Sequence, residues 1–357
     1  MANNEKIRIG ITHGDINGVG YEVILNSFDD PRMPEVATAV VYGSARIAGF
    51  YRHSAGLPDI KLNIVNDADD VVPDHLNFIN VIPEDIKVEP GLATKEAGEC
   101  ARLALERAVA DLNQGKIDAL VTGPINKDTI HSDKFPFTGH TEYLQSVWGL
   151  PDGSRALMIM ASDNLRVACA TGHLPLKAVP QALSAELIAE RLATFSHSLT
   201  TDFEIHSPRI AVLALNPHAG ENGLLGKEEI ETIIPAMEQA RKEGVLCFGP
   251  YASDGFFGSG AWKNFDGVLA MYHDQGLIPF KMLAMDAGVN FTAGLHAVRT
   301  SPDHGTAYDI AGKNIADCGS MRAAIYAAVD IVNSRRRYDY FTANPRKKQM
   351  RESHRDE

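Results

Sequence analysis

The segment Phe265–Lys281, with the sequence FDGVLAMYHDQGLIPFK, joins a strand pattern to a cluster of polar side chains. Its apolar run, Gly267–Met271, has the length and the flanking turn signals of a strand buried on both faces. His273 and Asp274 follow the run almost directly, and a cation, Lys281, comes shortly after them. Ligands in parallel α/β sheets bind at the carboxyl ends of the strands. The segment therefore predicts a parallel sheet with a site at that edge.

Strand and helix patterns alternate along almost all of the remaining chain. The further predicted strands are Ile7–Thr12, Val36–Tyr42, Ile60–Val65, Leu76–Val81, Ala119–Val121, Arg209–Leu215, and a hairpin of Ala156–Met160 with Leu165–Ala170. The predicted helices are one through Val23–Leu25, Ala45–His53, one capped by Thr94 and continuing to Leu112, Leu183–Leu199, Lys227–Glu243 and Met321–Asn333. This alternation predicts an α/β fold with a mainly parallel sheet and helices on both faces.

Size and composition narrow the function. The chain has 357 residues, more than the ~250–300 at which one hydrophobic core usually divides, so we expect two lobes with a cleft. The net charge of −12 argues against a nucleic-acid or anionic-membrane surface, and an anionic substrate would need local cations. We find no membrane span or signal peptide pattern. The four cysteines show no C-x-x-C spacing, so we expect reduced thiols and a cytoplasmic protein.

Three histidines, His173, His218 and His273, each follow a predicted buried strand. Because the carboxyl ends of parallel strands share one edge, the three imidazoles are predicted to converge there. Such a set can hold a divalent ion with an open position, as in catalytic zinc sites, and it also accepts magnesium, cobalt, manganese or nickel. A lone histidine at a strand end is more often a hydrogen-bonded loop residue. The separations of 45 and 55 residues fit no local zinc motif, so the metal site depends on the predicted fold.

Several other residues indicate an anionic substrate. A compact polar turn at 137–141 contains His140 and Thr141, and Asn290 and Arg299 follow the third histidine and Lys281. Arginine forks match phosphate or carboxylate oxygens, and lysine supplies a point charge. Taken alone, each of these residues is also consistent with a solvated or structural role.

A candidate cofactor loop lies near the end of the chain, at Asp303–Lys313, DHGTAYDIAGK. It resembles the loop that holds the adenosine end of NAD in the β-decarboxylating dehydrogenases, such as isopropylmalate dehydrogenase. The resemblance implies cofactor contacts from His304, Gly305, Thr306, Asp309 and Ile310. A carboxylate at Asp309 would repel a 2′-phosphate, so NAD is expected rather than NADP. The glycines Gly14, Gly18 and Gly20 lack the G-x-G-x-x-G spacing and favour a tight turn over a phosphate cradle.

Eight matches distributed in order from residue 7 to about 320 identify a family. They are Ile11–Asp15, Thr122–Lys127, Gly139–Glu142, Gly172–Leu176, Asn216–Glu221, Tyr272–Gly276, Lys281 and Arg299–Ala307. In these motifs the sequence resembles the 4-hydroxythreonine-4-phosphate dehydrogenases of pyridoxal phosphate biosynthesis. The resemblance implies that His173, His218 and His273 bind a divalent metal, and that His140, Thr141, Lys281, Asn290 and Arg299 bind the phosphorylated substrate. It also implies a homodimer whose active sites draw residues from both subunits.

The resemblance further implies an isocitrate/isopropylmalate dehydrogenase-like fold of two α/β/α lobes with the active site in the cleft between them. We expect a first lobe of residues 1–128 plus 288–340 with the NAD loop. The second lobe, 129–287, is expected to carry the metal histidines and the dimerisation surface. Residues 341–357 are expected to form a basic tail. The whole stretch from Arg335 is interpreted as a surface extension or disordered end.

The implied reaction is NAD- and metal-dependent oxidation of 4-phosphohydroxy-L-threonine at its secondary alcohol, followed by decarboxylation to 3-amino-2-oxopropyl phosphate. Candidate catalytic residues are Asp254, Asp274 and Lys281, and a structural role for either carboxylate is equally consistent with the sequence. One alternative is a dehydrogenase of threonate or erythronate 4-phosphate with the same chemistry. An alternative of another class is a metal-dependent phosphohydrolase, against which the Asp309 loop argues.

The sequence departs from the family pattern in two turns. In the first turn, His13, Ile16 and Tyr21 replace prolines and Asn17 replaces alanine. In a later turn, His296 replaces the proline of Gly-Leu-Pro. We expect looser turns at these places, with His13 and Asn17 adding contacts in the cleft.

Overall fold

The computed structural model of the protein describes residues 6–54, 56–57, 60–149, 155–284 and 287–344. The strands in this part of the chain are β1 (Arg8–Thr12), β2 (Thr38–Gly43), β3 (Leu62–Val65), β4 (Leu76–Asn80), β5 (Ala119–Thr122), β6 (Leu157–Ala161), β7 (Arg166–Cys169), β8 (Ile210–Leu213), β9 (Cys247–Tyr251), β10 (Gly267–Ala270), β11 (Val289–Ala293) and β12 (Val298–Pro302). The α-helices are α1 (Gly20–Phe28), α2 (Met33–Val36), α3 (Ala45–Ser54), α4 (Lys95–Asn113), α5 (Lys127–Ile130), α6 (His140–Val147), α7 (Val179–Ala182), α8 (Ala185–Thr201), α9 (Ile234–Lys242), α10 (Ser253–Gly258), α11 (His273–Ala284) and α12 (Gly319–Thr342). Strands and helices alternate as predicted, which confirms the α/β fold class.

The described strands form one sheet in the order β3-β4-β2-β1-β5-β12-β11-β6-β7-β10-β8-β9. Eight of its eleven neighbouring pairs are parallel. Every residue of β2, β5, β8 and β10 is buried, as expected for parallel strands covered on both faces. Each fully buried aliphatic side chain adds about 1.5–3 kcal/mol of stability. The predicted lobe boundaries at 128/129 and 287/288 stay a prediction.

The centre of the sheet is antiparallel. Strand β11 runs antiparallel to both β12 and β6, and β6 runs antiparallel to β7. The sequence predicts the β6–β7 hairpin, but it does not predict β11 or β12. Strand β12 has the sequence VRTSP, whose polar residues are typical of a loop, yet every residue in it is buried. These residues are buried because β12 lies between β5 and β11, inside the sheet.

Strand β9, with the sequence CFGPY, is also missed by the sequence analysis. Gly249 and Pro250 are turn signals, which hide the strand pattern. In the structure β9 is the last strand at one edge of the sheet. An edge position tolerates proline because, on its open side, no neighbouring strand needs the N–H donor that proline lacks.

Two helices that the sequence analysis does not predict begin at candidate site residues. The polar turn before α6 ends at Gly139, and the helix begins at His140. Helix α11 begins at His273 and contains Pro279, which argues against a helix in a sequence-based prediction. The predicted cap of α4 is confirmed, since Thr94 Oγ1 accepts a hydrogen bond from the Ala97 N–H at 3.2 Å. Such a cap contributes about 1 kcal/mol.

The last helix, α12, is longer than the predicted Met321–Asn333 and continues to Thr342. The interpretation of Arg335 onward as an extension is therefore wrong for 335–342, and 345–357 lies outside the described residues. Arg335 pairs with the buried Asp202 at 2.6 Å, and Arg336 pairs with Asp118. These acids hold the basic segment in helical form against the rest of the protein. None of the described helices has the length and apolar character that crossing a bilayer requires.

Candidate functional site

A cavity of about 870 Å³ lies beside the antiparallel centre of the sheet, lined from β6, β7, β11 and β12 and from helices α6 and α8. Four cations line it, Lys127, Arg155, Arg191 and Arg299, together with one carboxylate, Glu142. A protein with a net charge of −12 thus has a local excess of positive charge here. We name it the cationic cavity. Its charge favours an anionic ligand.

Arg299, on β12, is only 4% exposed. Its Nε and Nη2 donate to Thr122 Oγ1 at 3.0 and 2.6 Å, and its Nη1 donates to Thr292 Oγ1 at 3.1 Å. Neutral hydroxyls therefore hold the guanidinium. Burial lowers its pKa to about 10, with Glu142 acting in the opposite direction. A buried cation held by neutral oxygens gains strongly from a bound anion.

His140 is fixed against Arg299, with its Nδ1 3.3 Å from Arg299 Nη2. Because a guanidinium can only donate, Nδ1 is the acceptor and the proton of the neutral ring is on Nε2. Burial first, and then the charges of Arg299 and Lys127, lower the pKa of His140 well below 6.5, so the ring is neutral at pH 7. The Nε2 atom is buried without a hydrogen-bond partner. It is a donor available to an anionic oxygen.

Thr141 and Asn290 also line the cationic cavity. The Oδ1 atom of Asn290 is buried without a hydrogen-bond partner. Four of the five predicted substrate residues therefore meet in one cavity. The fifth, Lys281, is outside the lining and forms an ion pair at 3.1 Å with Oδ1 of Asp303, the first residue of the predicted cofactor loop.

The three predicted metal histidines leave the sheet at one edge, as the sequence analysis expected. Strands β7, β10 and β8 are adjacent and parallel, and they lead to His173, His273 and His218 respectively. The ring centroids of His173 and His273 are 5.1 Å apart, with 43° between the ring planes. We name these three residues the histidine edge.

Two residues of the histidine edge are oriented by a neighbouring carboxylate. His273 Nδ1 lies 2.7 Å from Asp274 Oδ1, and His218 Nδ1 lies 3.3 Å from Glu221 Oε2. A carboxylate at Nδ1 places the ring proton there and leaves Nε2 free as a ligand, as is usual for metal-binding histidines. Asp274, one of the candidate catalytic residues, thus contacts His273 directly, and its catalytic role stays a prediction.

His218 lies in a turn of unusual backbone, in which residues 218–222 all have positive φ. Each non-glycine residue in this conformation costs roughly 1–2 kcal/mol. The buried Glu229 stabilises the start of the turn: its Oε1 accepts from the N–H groups of Leu215 and Asn216, both at 2.8 Å. Backbone strain maintained by such contacts clusters at functional sites.

The donor set suits a divalent ion, but one chain does not bring it together. Within the described ranges, no group of three or more His, Cys, Asp or Glu side chains is placed to hold a metal. His173 and His273 are neighbours, whereas the His218 side chain is 68% exposed. Imidazoles with free Nε2 atoms are suitable ligands for zinc and similar ions. The three-histidine metal site therefore stays a prediction.

Asp254, the other candidate acid, is exposed in the first turn of α10. The helix start is tied to the sheet by Gln275, whose Nε2 donates to Ser253 Oγ at 2.8 Å and to Ala214 O at 2.6 Å. Ala214 directly follows β8, so Asp254 is carried near the carboxyl ends of β8 and β10. Its catalytic role stays a prediction.

The predicted cofactor loop, 303–313, packs against the first turn of the chain. The Val19 N–H donates to Thr306 O at 3.0 Å, and the Tyr308 hydroxyl donates to Asp15 Oδ2 at 2.7 Å. Burial raises the pKa of Asp15, and the Tyr308 bond opposes that change. Specific polar contacts thus hold the loop against the first turn, and both belong to the segment predicted as the first lobe.

Parts of the loop remain available for a ligand. Gly305 and Asp309 are exposed, and His304 Nε2 is buried without a hydrogen-bond partner. Of the other predicted cofactor residues, Thr306 and Ile310 are half-buried.

The glycines of the first turn serve close backbone packing. A Cβ on Gly14, whose φ is +75°, would lie 2.2 Å from Pro124 O, and one on Gly18 would lie 2.7 Å from Thr306 O. No side chain fits in either place. This geometry supports the tight-turn interpretation over a phosphate cradle.

The expectation that His13 and Asn17 add contacts in the cleft is wrong. Both are buried, and neither lines the cationic cavity. Asn17 ties down the segment after β4, because its Nδ2 donates to Leu92 O at 2.9 Å and its Oδ1 accepts from the Glu89 N–H at 2.8 Å. His13 stacks on Tyr21, with ring centroids 5.0 Å apart and planes 8° from parallel. The residues that stand in place of the family's prolines therefore pack the first turn tightly.

Three cations of the cavity are missed by the sequence analysis: Lys127, Arg155 and Arg191. Lys127 lies in the family motif Thr122–Lys127, which by itself assigns the residue no role. Arg191 carries a signal that was available, since it interrupts the apolar stripe of α8 between Ile188 and Phe195. Arg155 has no such pattern, and only the tertiary structure places it.

The fold and the site together define an α/β protein that presents a cationic cavity for an anionic small molecule beside a histidine-bearing sheet edge. The chain belongs to the PdxA family: the model of the pyridoxal phosphate biosynthetic protein PdxA matches residues 35–328.

Similar proteins share nearly the whole chain. A 4-hydroxythreonine-4-phosphate dehydrogenase of Bacteroides thetaiotaomicron is 52% identical, over 98% of this chain and 96% of that protein. A protein of the same name from Aquifex aeolicus is 42% identical, over 91% of this chain and 98% of its own length. The crystal structure of 4-hydroxythreonine-4-phosphate dehydrogenase from Klebsiella pneumoniae superimposes with a TM-score of 0.80 at 34% identity, covering 93% of this chain and 99% of that one.

Proposed function

We propose that the protein is a NAD- and divalent-metal-dependent dehydrogenase of pyridoxal phosphate biosynthesis. It oxidises 4-phosphohydroxy-L-threonine at the secondary alcohol and decarboxylates the product to 3-amino-2-oxopropyl phosphate. The observation that carries this proposal is the 52% identity, over 98% of the chain, to a protein named 4-hydroxythreonine-4-phosphate dehydrogenase. The cationic cavity supports it, because four predicted substrate residues line that cavity.

The phosphate is bound by Arg299 and His140. Arg299 supplies the buried positive charge, and Thr122 and Thr292 hold its guanidinium in place before the substrate arrives. His140 donates from Nε2 to a phosphate oxygen while its Nδ1 accepts from Arg299. Fixing the phosphate in this way orients the remainder of the substrate, and orientation can account for a large share of the rate enhancement.

His173, His218 and His273 hold the divalent ion. Bound there, the ion supplies Lewis-acid chemistry to the oxygen of the reacting carbon. Asp274 keeps His273 in the tautomer whose Nε2 can bind, and Glu221 does the same for His218. The positive-φ turn at 218–222, held by Glu229, sets the place of His218 at the end of β8.

The active protein is a homodimer whose sites are shared between subunits. Each residue of the histidine edge is followed by large apolar side chains that are exposed in the single chain. They are Leu174 and Leu176; Leu224, Leu225 and Ile230; and Ile278, Met282 and Leu283. Exposed apolar groups that cluster along one edge favour a protein interface. A second chain covering this edge also supplies the histidine that one chain leaves apart.

NAD is held by the loop 303–313, with contacts from His304, Gly305, Thr306, Asp309 and Ile310. NAD supplies the hydride acceptor. The exposed Asp309 carboxylate favours the ribose hydroxyl of NAD over the phosphate of NADP. The loop belongs to a first lobe of 1–128 plus 288–340, which faces the metal lobe of 129–287 across the active-site cleft. Lys281, paired with Asp303, joins the two lobes near the cofactor.

The test is an NADH absorbance assay on 4-phosphohydroxy-L-threonine, with and without a chelator. The expected result is turnover that stops with chelator and returns when a divalent metal is added. A higher kcat/KM for threonate or erythronate 4-phosphate would instead assign the acid-sugar phosphate reaction. Phosphate release without NAD would indicate a phosphohydrolase, and no reaction at all would reject the proposal.

Sharing of the site is tested by mixing two inactive variants, His173→Ala and His218→Ala. In a random mixture, half of the dimers contain both variants, and each of these regenerates one intact site if the ligands come from different subunits. About a quarter of the wild-type activity is then expected. No recovery would mean that His173 and His218 of each site come from the same chain, and would reject the partner as the source of His218.

A further inference from the structure

Arg191 is a buried cation without a role in the proposed reaction. It lies on α8, on the face that Ile188 and Phe195 bury, and it is 8% exposed. It also lines the cationic cavity. The side chain is thus buried and borders the cavity.

Only part of the guanidinium is used for structure. Its Nη1 donates to the carbonyl oxygens of Arg155 and Ala156, at 2.9 and 3.2 Å, which ties α8 to the residues before β6. Its Nε is buried without a hydrogen-bond partner. The nearest acid, Glu190, is 4.0 Å from Nη1, and the same Glu190 oxygen already accepts the Arg155 N–H at 3.0 Å.

This arrangement is costly unless something compensates for it. A buried charge held mainly by backbone carbonyls, with an unsatisfied donor, loses hydration without regaining it from a full ion pair. Burial accordingly lowers the pKa of Arg191. Arg299 shows the same pattern on another element of the same cavity, where neutral hydroxyls hold a buried guanidinium. The cavity therefore contains two separate arginines prepared for anions.

We propose that Arg191 binds the carboxylate of the substrate while Arg299 binds its phosphate, so that the cavity selects short phosphorylated acids. This inference rests on the proposed function and deepens it. The cavity, at about 870 Å³, has room for a four-carbon chain with an anionic group at each end. Arginine is suited to this role because its planar fork matches a carboxylate.

A matched pair of ligands isolates the carboxylate. Erythronate 4-phosphate and erythritol 4-phosphate differ only in that the first has a carboxylate where the second has a hydroxymethyl group. Their dissociation constants are measured by calorimetry on the full-length protein without NAD. We expect the wild type to bind the acid at least tenfold more tightly than the alcohol.

The variants are Arg191→Gln and Arg191→Lys, with Arg166→Gln as the control. Arg166 is a fitting control because its Nε is also buried without a partner, but it stacks on Phe203 and does not line the cavity. Arg191→Gln should abolish the preference for the acid and leave the affinity for the alcohol within about twofold. Arg191→Lys should keep part of the preference, since it retains the charge, and it serves if the glutamine variant fails to fold. Arg166→Gln should change neither affinity.

Several results would overturn the inference. Equal weakening of both ligands in Arg191→Gln would show a structural role only, and an unchanged preference for the acid would show that another group binds the carboxylate. A wild type that binds both ligands equally would also reject it. A wild type that binds neither phosphorylated ligand would reject the cationic cavity as a phosphate site, and this inference with it, whereas the proposed function is tested separately by the NADH assay.

Discussion

The cationic cavity and the histidine edge differ in how complete each is within one chain. In the cavity, Arg299 is buried and its guanidinium donates hydrogen bonds to two threonine hydroxyls. His140 is fixed against the same guanidinium. At the histidine edge, His173 and His273 are neighbours, but His218 lies in an exposed turn away from them.

The two regions differ because different forces bring their side chains together. Hydroxyl groups of the same chain can hold a guanidinium, so folding alone can build the proposed phosphate site. Neutral imidazoles do not attract one another, and they gain a common centre only when a metal ion binds. The fold can therefore bring the histidines to one edge, and under the proposed function the ion and a second subunit complete the arrangement.

The largest expected effect is on the cavity side of the comparison. Arg299→Gln removes the buried charge that holds the phosphate, and kcat/KM for 4-phosphohydroxy-L-threonine should fall about 10³-fold, or about 4 kcal/mol. Arg166→Gln, which changes a buried arginine outside the cavity, should stay within about twofold of wild type. A loss of less than tenfold in Arg299→Gln would mean that the cavity is not the phosphate site.

A second prediction sharpens what an unpartnered buried atom means. His13 and His140 both have such atoms, but only His140 lines the cavity. His140→Phe should weaken phosphate-ester binding, by roughly 10- to 100-fold for one lost charge-assisted hydrogen bond. His13→Phe should leave turnover unchanged, because Phe preserves the stacking on Tyr21.

The His13 variant should also change the pH dependence of stability. Burial lowers the pKa of His13 from 6.5 to about 4. On acidification, His13 is therefore protonated in the unfolded chain at a higher pH than in the folded chain. The free energy of unfolding consequently decreases as the pH falls from 6.5 toward 4, by up to about 3 kcal/mol. In His13→Phe this loss should disappear, as measured by urea unfolding between pH 7 and pH 4.5. The same acid dependence in both proteins would reject the assignment, and the exposed His53, changed to Gln, is the control.

The fourth prediction concerns the histidine edge. His218→Ala should lower zinc or cobalt affinity by about 100-fold or more, since it removes a ligand rather than an outer-shell partner. Calorimetric titration of the metal checks this without an activity assay. His131→Ala, an exposed histidine elsewhere, should bind metal as the wild type does. Unchanged metal affinity and NAD-dependent turnover in His218→Ala would remove it from the proposed site.

The smallest effect is expected at Asp274. Asp274→Asn retains the shape of the side chain and weakens the bond that orients His273, so metal affinity should fall about tenfold. The affinity for erythritol 4-phosphate should not change, because this residue does not line the cationic cavity. If both affinities fell together, the two regions would not be separable as described.

Much of this organisation can be predicted from the sequence because its signals are local. Apolar runs of strand length show which segments are buried, and Thr94 marks the start of α4 by its hydrogen-bonding chemistry. The position of His173, His218 and His273 after three such runs predicts one sheet edge, and the order β7-β10-β8 confirms it. These inferences need only the period of a strand and the direction of parallel neighbours.

Only the tertiary structure places β12 inside the sheet, because the burial of its polar residues depends on pairing with β5 and β11, which are distant in the chain. That pairing sets Arg299 beside Thr122, and α8 brings Arg191 to the same cavity. Long-range pairing leaves no periodic trace in a short window of sequence. Local sequence patterns thus determine the strand ends and the residue types that follow them. The meeting of two buried arginines in one cavity depends instead on how the whole chain packs.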